Sequence, residues 1–204
     1  MTSRTAHTRD EVLAFWHPRD LTDGLSLQPL QERHAERFVE LVGRNQAEIG
    51  AWANWVWSPF GADEAVTEIQ RLAPGEHGPW SLPFAIERDN TMIGFAHIFA
   101  IRFVLSIADI GYWIDHDEAG RGITTTAVRS LCSLAFDEMG IHRVELRCSP
   151  DNHGSMGIAR KAGFTIEGLH RDAWRVKDQP QSLVMHSRLA TDPSSAAARP
   201  PTSW

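Results

Sequence analysis

Residues 110–126 read Ile-Gly-Tyr-Trp-Ile-Asp-His-Asp-Glu-Ala-Gly-Arg-Gly-Ile-Thr-Thr-Thr. An apolar alternation ends, a short turn carries Gly120 and Gly122, and a helical pattern begins at once. This order of elements makes an anion site. The first N–H groups of a helix have no internal acceptor, and the helix dipole adds partial positive charge there. Glycines let the backbone approach a ligand closely, and Thr124 and Thr125 bring hydroxyls. A pyrophosphate is the natural ligand of such a corner. On spacing alone, the same glycines serve equally well as a tight strand–helix turn that needs them for its dihedrals. The segment is neither a Walker loop nor a full dinucleotide fingerprint.

A second stretch with chemical content runs Asp151-Asn-His-Gly-Ser-Met-Gly-Ile-Ala-Arg-Lys-Ala-Gly-Phe-Thr-Ile-Glu-Gly168. Asn152 stands at a strand-to-helix junction, where it is also a good N-cap, and Ser155 falls on the first helical turn. Gly163 is placed to end that helix in the left-handed conformation.

Taken in order, these two stretches resemble the GNAT superfamily of N-acyltransferases. Glu-Ala-Gly-Arg-Gly-Ile-Thr-Thr is similar to its acetyl-CoA motif, Gln/Arg-x-x-Gly-x-Gly/Ala, in the form of the RimJ/RimL branch. Ala119 stands where Gln or Arg is usual, and Thr124 where Gly or Ala is common. Asn, Ser three residues on, a short helix, Gly-Phe and a strand ending Glu-Gly are similar to a second element of that branch. The likeness covers about residues 24–190 and is sharpest over 108–168.

The resemblance implies an α/β (α+β) GNAT fold with a mixed, mostly antiparallel sheet of about seven strands flanked by helices. It implies transfer of an acetyl or similar short acyl group from acyl-CoA to a primary amine, of a protein N-terminus or a small molecule, by direct attack in a ternary complex. It assigns cofactor contacts to Trp113, Ile114, Ala119, Gly120, Arg121, Gly122, Ile123, Thr124, Thr125, Asn152 and Arg160. Ser155 would protonate the departing thiolate, and Asn152 would bond a pantetheine amide. An oxyanion donor is expected from backbone N–H groups around Tyr112 to Ile114. Asp109, which by alternation shares a strand face with Gly111, Trp113 and Asp115, leads as general base. His97, His170 and Asp172 are alternates. Trp52 and Trp55, with Trp57, fall where this branch walls its acceptor site, although core packing is the plainer role for any one of them. No metal is expected, and a monomer or homodimer is implied. A non-catalytic acyl-CoA sensor is the main alternative. A nucleotide-binding domain of another α/β class is the other, and it requires parallel strands throughout.

The elements that must position these residues are legible by period. Leu25–Leu30 reads as a strand, and Ala35, Phe38, Val39 and Val42 mark a helix. A second helix is expected over 62–72. Strands 83–87 and 91–98 flank Arg88-Asp89-Asn90, a hairpin signal. A strand over 106–115, a helix over 121–139, a strand over 142–148, a helix over 153–162 and strands over 164–169 and 182–189 complete the order β-α-α-β-β-β-α-β-α-β-β. Three parts are expected: an extension over 1–23 with an apolar patch (Val12, Leu13, Phe15, Trp16), the acyltransferase domain over 24–190, and a Pro/Ser/Ala-rich disordered tail over 191–204.

Composition narrows the class. The 204 residues carry a formal net charge of −6 and 42% hydrophobic residues, an ordinary globular balance. Clustered basic excess of the kind that binds nucleic acid is missing. No apolar run reaches the ~20 residues of a membrane span, and the polar N-terminus lacks a secretory pattern, so a cytoplasmic address is expected. The two cysteines, Cys132 and Cys148, sit in apolar patterns as buried free thiols.

Overall fold

The computed structural model describes residues 8–53, 61–74 and 80–193. Trp55, Trp57 and the tail from 194 onward lie outside the described residues. One sheet organises the chain. Its strands are β1 (Arg19–Asp20), β2 (Leu25–Pro29), β3 (Leu82–Arg88), β4 (Thr91–Arg102), β5 (Ile107–Ile114), β6 (Arg143–Cys148), β7 (Thr165–Val176) and β8 (Gln179–Leu189). Their order is β1-β2-β3-β4-β5-β6-β8-β7. Every pairing is antiparallel except β5 with β6.

The sheet has eight strands, one more than expected. The extra one is β1, which pairs Arg19 with Leu27 and Asp20 with Ser26. The β3–β4 hairpin turns on Asp89 (φ 48°) and Asn90 (φ 62°), the two left-handed positions that a tight two-residue hairpin demands.

Helices cover both faces. On one side lie α1 (Arg9–Ala14), α5 (Ile123–Ser133) and α6 (His153–Lys161), packed through Val12, Ile123, Val128, Leu131 and Ala159 onto Phe84, Ile98, Ile110 and Leu146. On the other lie α2 (Ala35–Arg44), α3 (Gln46–Gly50) and α4 (Ala62–Leu72), whose Phe38, Leu41, Ile49 and Ile69 meet Ala85, Met92 and Phe95. Residues 8–23 pack against the same core: Val12 is fully buried and the Trp16 indole donates to the Pro83 carbonyl at 2.6 Å. α5 begins at Ile123, two residues later than expected, and widens into a π turn over Leu134–Glu138 before Gly140 (φ 64°) ends it. Among the described residues, no helix is long and apolar enough to cross a membrane.

Candidate active site

The sheet opens in its middle. β5 and β6 pair only over Ile107↔Arg143, Ala108↔Val144 and Asp109↔Glu145. Beyond that point β5 runs on to Ile114 paired with β4 alone, and β6 runs on to Cys148 paired with β8 alone. The two strands therefore diverge. Along the inner edge of β5, every second residue turns its N–H and C=O toward the gap. Such an edge can accept a strand-like ligand and can aim an N–H at a developing oxyanion.

At the end of β5 lies the glycine turn. Gly120 (φ 78°) and Gly122 (φ 81°) are both left-handed, and a Cβ at either would meet no atom within 4 Å. The glycines are thus set by dihedral and not by crowding, and the space above them is open. Gly122 caps α5 without a side-chain bond. Thr126 N–H is the first helical amide to find a partner, the Gly122 carbonyl at 3.0 Å. The amides from Gly120 to Thr125 make no hydrogen bond to an acceptor among the described residues. Ile123, Thr124 and Thr125 are nearly buried, which pins the start of the helix. Beside the turn, Glu118 is paired with Arg88 at 2.9 Å and Arg121 at 3.3 Å, so one guanidinium charge stays in excess. Ala119 links this acid to the turn.

The turn is anchored from α2. Asn45, 1% exposed, donates to Leu41 O (2.8 Å) and Asp115 Oδ1 (3.1 Å) and accepts from His116 N (2.8 Å). Arg44 pairs with Asp115 at 3.4 Å and also with Asp117. Asp115, His116 and Asp117 lie close enough together to be tested as metal ligands, but Arg44 already supplies their counter-charge.

Across the gap, α6 begins where β6 ends. Asn152 Oδ1 accepts from Ser155 N at 3.0 Å, so Asn152 is the N-cap, with its side-chain NH₂ left over to donate. Ser155 faces Tyr112, the chain's single tyrosine, from β5. The Tyr112 hydroxyl is buried and lacks a well-formed hydrogen bond among the described residues. Burial pushes its pKa above the ordinary value, and Ser155 pulls it partly back. It therefore stays protonated, a donor waiting for an acceptor. Cys148 closes this corner, its Sγ 3.6 Å from Met156 Sδ. Arg160 is exposed on the last turn of α6, with no ion-pair partner among the described residues.

The opposite face of the gap, toward α2 and α4, is aromatic. Cross-strand pairs Phe95↔Trp113, His97↔Gly111 and Phe99↔Asp109 set side chains together on it. Trp113 packs on Phe38 (5.6 Å) and Phe95 (6.2 Å). Because Asp115 N–H bonds Ile93 O in the same register, the Trp113 backbone faces β4, and it is Tyr112 and Ile114 that turn their N–H groups toward the gap. Ile114 turns into the other core layer. The His97 ring stacks on Phe99 at 4.4 Å and covers Gly111, where a Cβ would lie 2.4 Å from Nε2. Burial, with Arg71 nearby, pulls the His97 pKa down to about 3.

Asp109 is 1% exposed, and both of its oxygens are occupied: Oδ1 accepts from Arg102 at 2.9 Å and Oδ2 from Arg147. Burial raises its pKa, and the two arginines pull against that. His170 and Asp172 lie exposed on the edge strand β7, away from this cluster by position in the sheet. Trp52, after α3, is 38% exposed, as the excess of tryptophans over one buried helix face suggests. The sequence reading did not find the side chain of Tyr112, the Asn45 hook or the Arg102–Asp109–Arg147 cluster. Only the uniqueness of Tyr112 offered a signal.

A glycine turn with open helix amides thus stands beside a parted pair of parallel strands. Residues 25–165 match the family described as Acetyltransferase (GNAT) domain, and the chain belongs to that family as an N-acetyltransferase. It is 30% identical over 173 residues to YdaF of Bacillus subtilis (strain 168), provisionally named a ribosomal N-acetyltransferase; the match covers 83% of this chain and 93% of YdaF. It is 22% identical to the ribosomal-protein-serine acetyltransferase of Escherichia coli (strain K12) over 83% of this chain and 94% of that one. Among solved structures, RimL, a ribosomal L7/L12 alpha-N-protein acetyltransferase in complex with coenzyme A, superposes with a TM-score of 0.79 at 25% identity, over 85% of this chain and 98% of RimL.

Proposed function

We propose that this enzyme transfers an acetyl or similar short acyl group from acyl-CoA to the primary amine of a protein N-terminus or a small molecule, by direct attack in a ternary complex. The observation that carries the reading is the row of unpartnered amides at 120–125 opening onto the gap that holds Tyr112 and Ser155. The relatives' named activities on ribosomal proteins favour a protein N-terminus.

In this reading, the turn amides bind the coenzyme A diphosphate, and the Asn152 NH₂ bonds the pantetheine arm. The thioester lies between β5 and β6. The amine nitrogen attacks the carbonyl carbon, and a β5 backbone N–H takes the oxyanion. Collapse breaks the C–S bond. The leaving thiolate takes a proton from Ser155, and the Tyr112 phenol beside it can return a proton to the serine oxygen. The ammonium proton leaves toward the acceptor face. There Asp109 accepts it only if Arg102 or Arg147 shifts off its oxygen, and otherwise water does so. An acyl-cysteine is disfavoured, because burial pushes Cys148 up to about 11 and Cys132 up to about 12, leaving little thiolate.

The test is thiol release from acetyl-CoA with peptides bearing free N-termini and with small amines. Amine-dependent release matched by amide formation supports the reading. Acetyl-CoA binding with no amine-dependent release would establish the non-catalytic sensor instead.

A further inference from the structure

Where β5 and β6 part, charged side chains gather on the face toward α2 and α4. Asp109 and Glu145 are the last paired residues. Arg147 stands two residues further along β6, on the same face, where the strands have already diverged. Its guanidinium reaches back across the gap to Asp109. Arg102, from the end of β4, holds the other oxygen of Asp109 at 2.9 Å and lies 3.6 Å from Glu145. Arg143 in turn holds Glu145 at 2.7 Å and Glu167 at 2.5 Å.

Three arginines and three acids sum to zero, yet the charges are not equally accessible. The Asp109 and Glu145 side chains are 2% and 14% exposed, whereas those of Arg102 and Arg147 are 41% and 39% exposed. An approaching molecule meets guanidinium groups, with the balancing carboxylates underneath. Each of the two exposed arginines uses only Nη2 in these pairs, so Nε–H and Nη1–H donors remain among the described residues. Planar forks of this kind select carboxylates and repel a second ammonium.

We infer that Arg147 and Arg102 form a carboxylate-recognition site at the acceptor mouth of the gap, so that one of the two substrates carries a carboxylate and polycationic amines are excluded. The inference rests on the transferase reading above and names its substrate class. The carboxylate belongs either to the acceptor, as an acidic side chain near a peptide N-terminus or the carboxylate of an amino acid, or to the acyl chain, as in a dicarboxylic acyl-CoA.

Initial rates on the full chain separate these. With acetyl-CoA, the acceptors are peptides differing only in an acidic, neutral or lysine second residue, and spermidine. Succinyl-CoA and acetyl-CoA are then compared on the neutral peptide. The wild-type protein should favour the carboxylate-bearing partner in one of the two arms by about tenfold or more in kcat/KM, the worth of a charge-assisted bond. Raising the salt should shrink that preference. Arg147→Gln and Arg102→Gln should each bring it within about threefold of unity, mainly through KM. Because loss of either arginine leaves the buried Asp109 with one partner in place of two, Arg147→Lys serves as a folded control that keeps the charge and loses the fork. Equal rates across both arms, or a preference for spermidine or the lysine peptide, would overturn the inference while leaving the transferase intact. Acetyl-CoA binding with no turnover of any pair would remove the transferase reading, and this inference with it.

Discussion

Replacing Gly122 by Asp and, separately, by Asn isolates the charge of the proposed diphosphate site. Gly122 sits at φ 81°, and a Cβ there meets nothing within 4 Å, so neither replacement is blocked by a neighbour. Asn and Asp are the non-glycine side chains that best tolerate the left-handed region, and their backbone costs there should differ by about 1 kcal/mol or less. They differ in one negative charge. A carboxylate about 5 Å from a phosphate charge, at an effective dielectric near 20, is disfavoured by about 3 kcal/mol. A diphosphate carries two such charges, and solvent at the open turn roughly halves the sum, which leaves about 3 kcal/mol. Gly122→Asp should therefore bind acetyl-CoA about a hundredfold more weakly than Gly122→Asn by titration calorimetry, with the gap narrowing as salt rises. Equal affinity of the two variants at low salt would refute the placement of the diphosphate on this turn.

Ser155→Ala should lower kcat about a hundredfold while changing acetyl-CoA affinity little, because the bond to the Asn152 cap comes from the Ser155 backbone and survives the change. Tyr112→Phe should lower kcat in the same direction, and the double variant should fall short of the product of the two effects, measured as a double-mutant cycle of turnover numbers. Asn45→Ala removes four hydrogen bonds at a buried position and should cost about 2–3 kcal/mol by denaturant unfolding, with weakened acetyl-CoA binding because the turn loses its anchor. For His97, the folded pKa of about 3 lies below the unfolded value near 6.5, so the unfolded chain binds the extra proton between those two pH values. Stability from this group is complete above the unfolded pKa and is lost as pH falls toward 3. His97→Phe, which keeps the ring stack, should recover up to about 2 kcal/mol of the stability lost between pH 7 and pH 5, read from unfolding curves at the two pH values.

Much of the frame was legible in the sequence, and the reasons are local. The helix Ala62–Leu72 appears with the expected ends, and the hairpin turn falls on Asp89 and Asn90, because period and turn chemistry are properties of neighbouring residues. Gly163 is left-handed (φ 86°), as its place after α6 suggests. The eighth strand was not legible, since two residues carry no period. Strand β7 runs to Val176, well past the expected 169, because as an edge strand it is exposed on both faces and shows no alternation. Its hairpin turns on Lys177 (φ 49°) and Asp178 (φ 59°), which look like ordinary surface residues.

The same division holds for the site. The places of Gly120, Gly122, Asn152 and Ser155 were legible because each sits at a local junction between strand and helix. The face of Asp109 could be read from alternation, but not the arginines that hold it: Arg147 lies 38 residues away along the chain. Tyr112 and Ser155, like Asn45 and Asp115, meet only when strands and helices from distant parts of the chain are assembled. No spacing rule encodes such contacts.

The most direct test follows backbone amide signals by heteronuclear NMR as coenzyme A is added to the wild-type protein. The largest shifts should fall on the amides from Gly120 to Thr125, with a second group along the gap at Tyr112–Ile114 and Asn152–Ser155. Saturable binding that leaves the 120–125 amides unmoved while signals elsewhere respond would contradict the site.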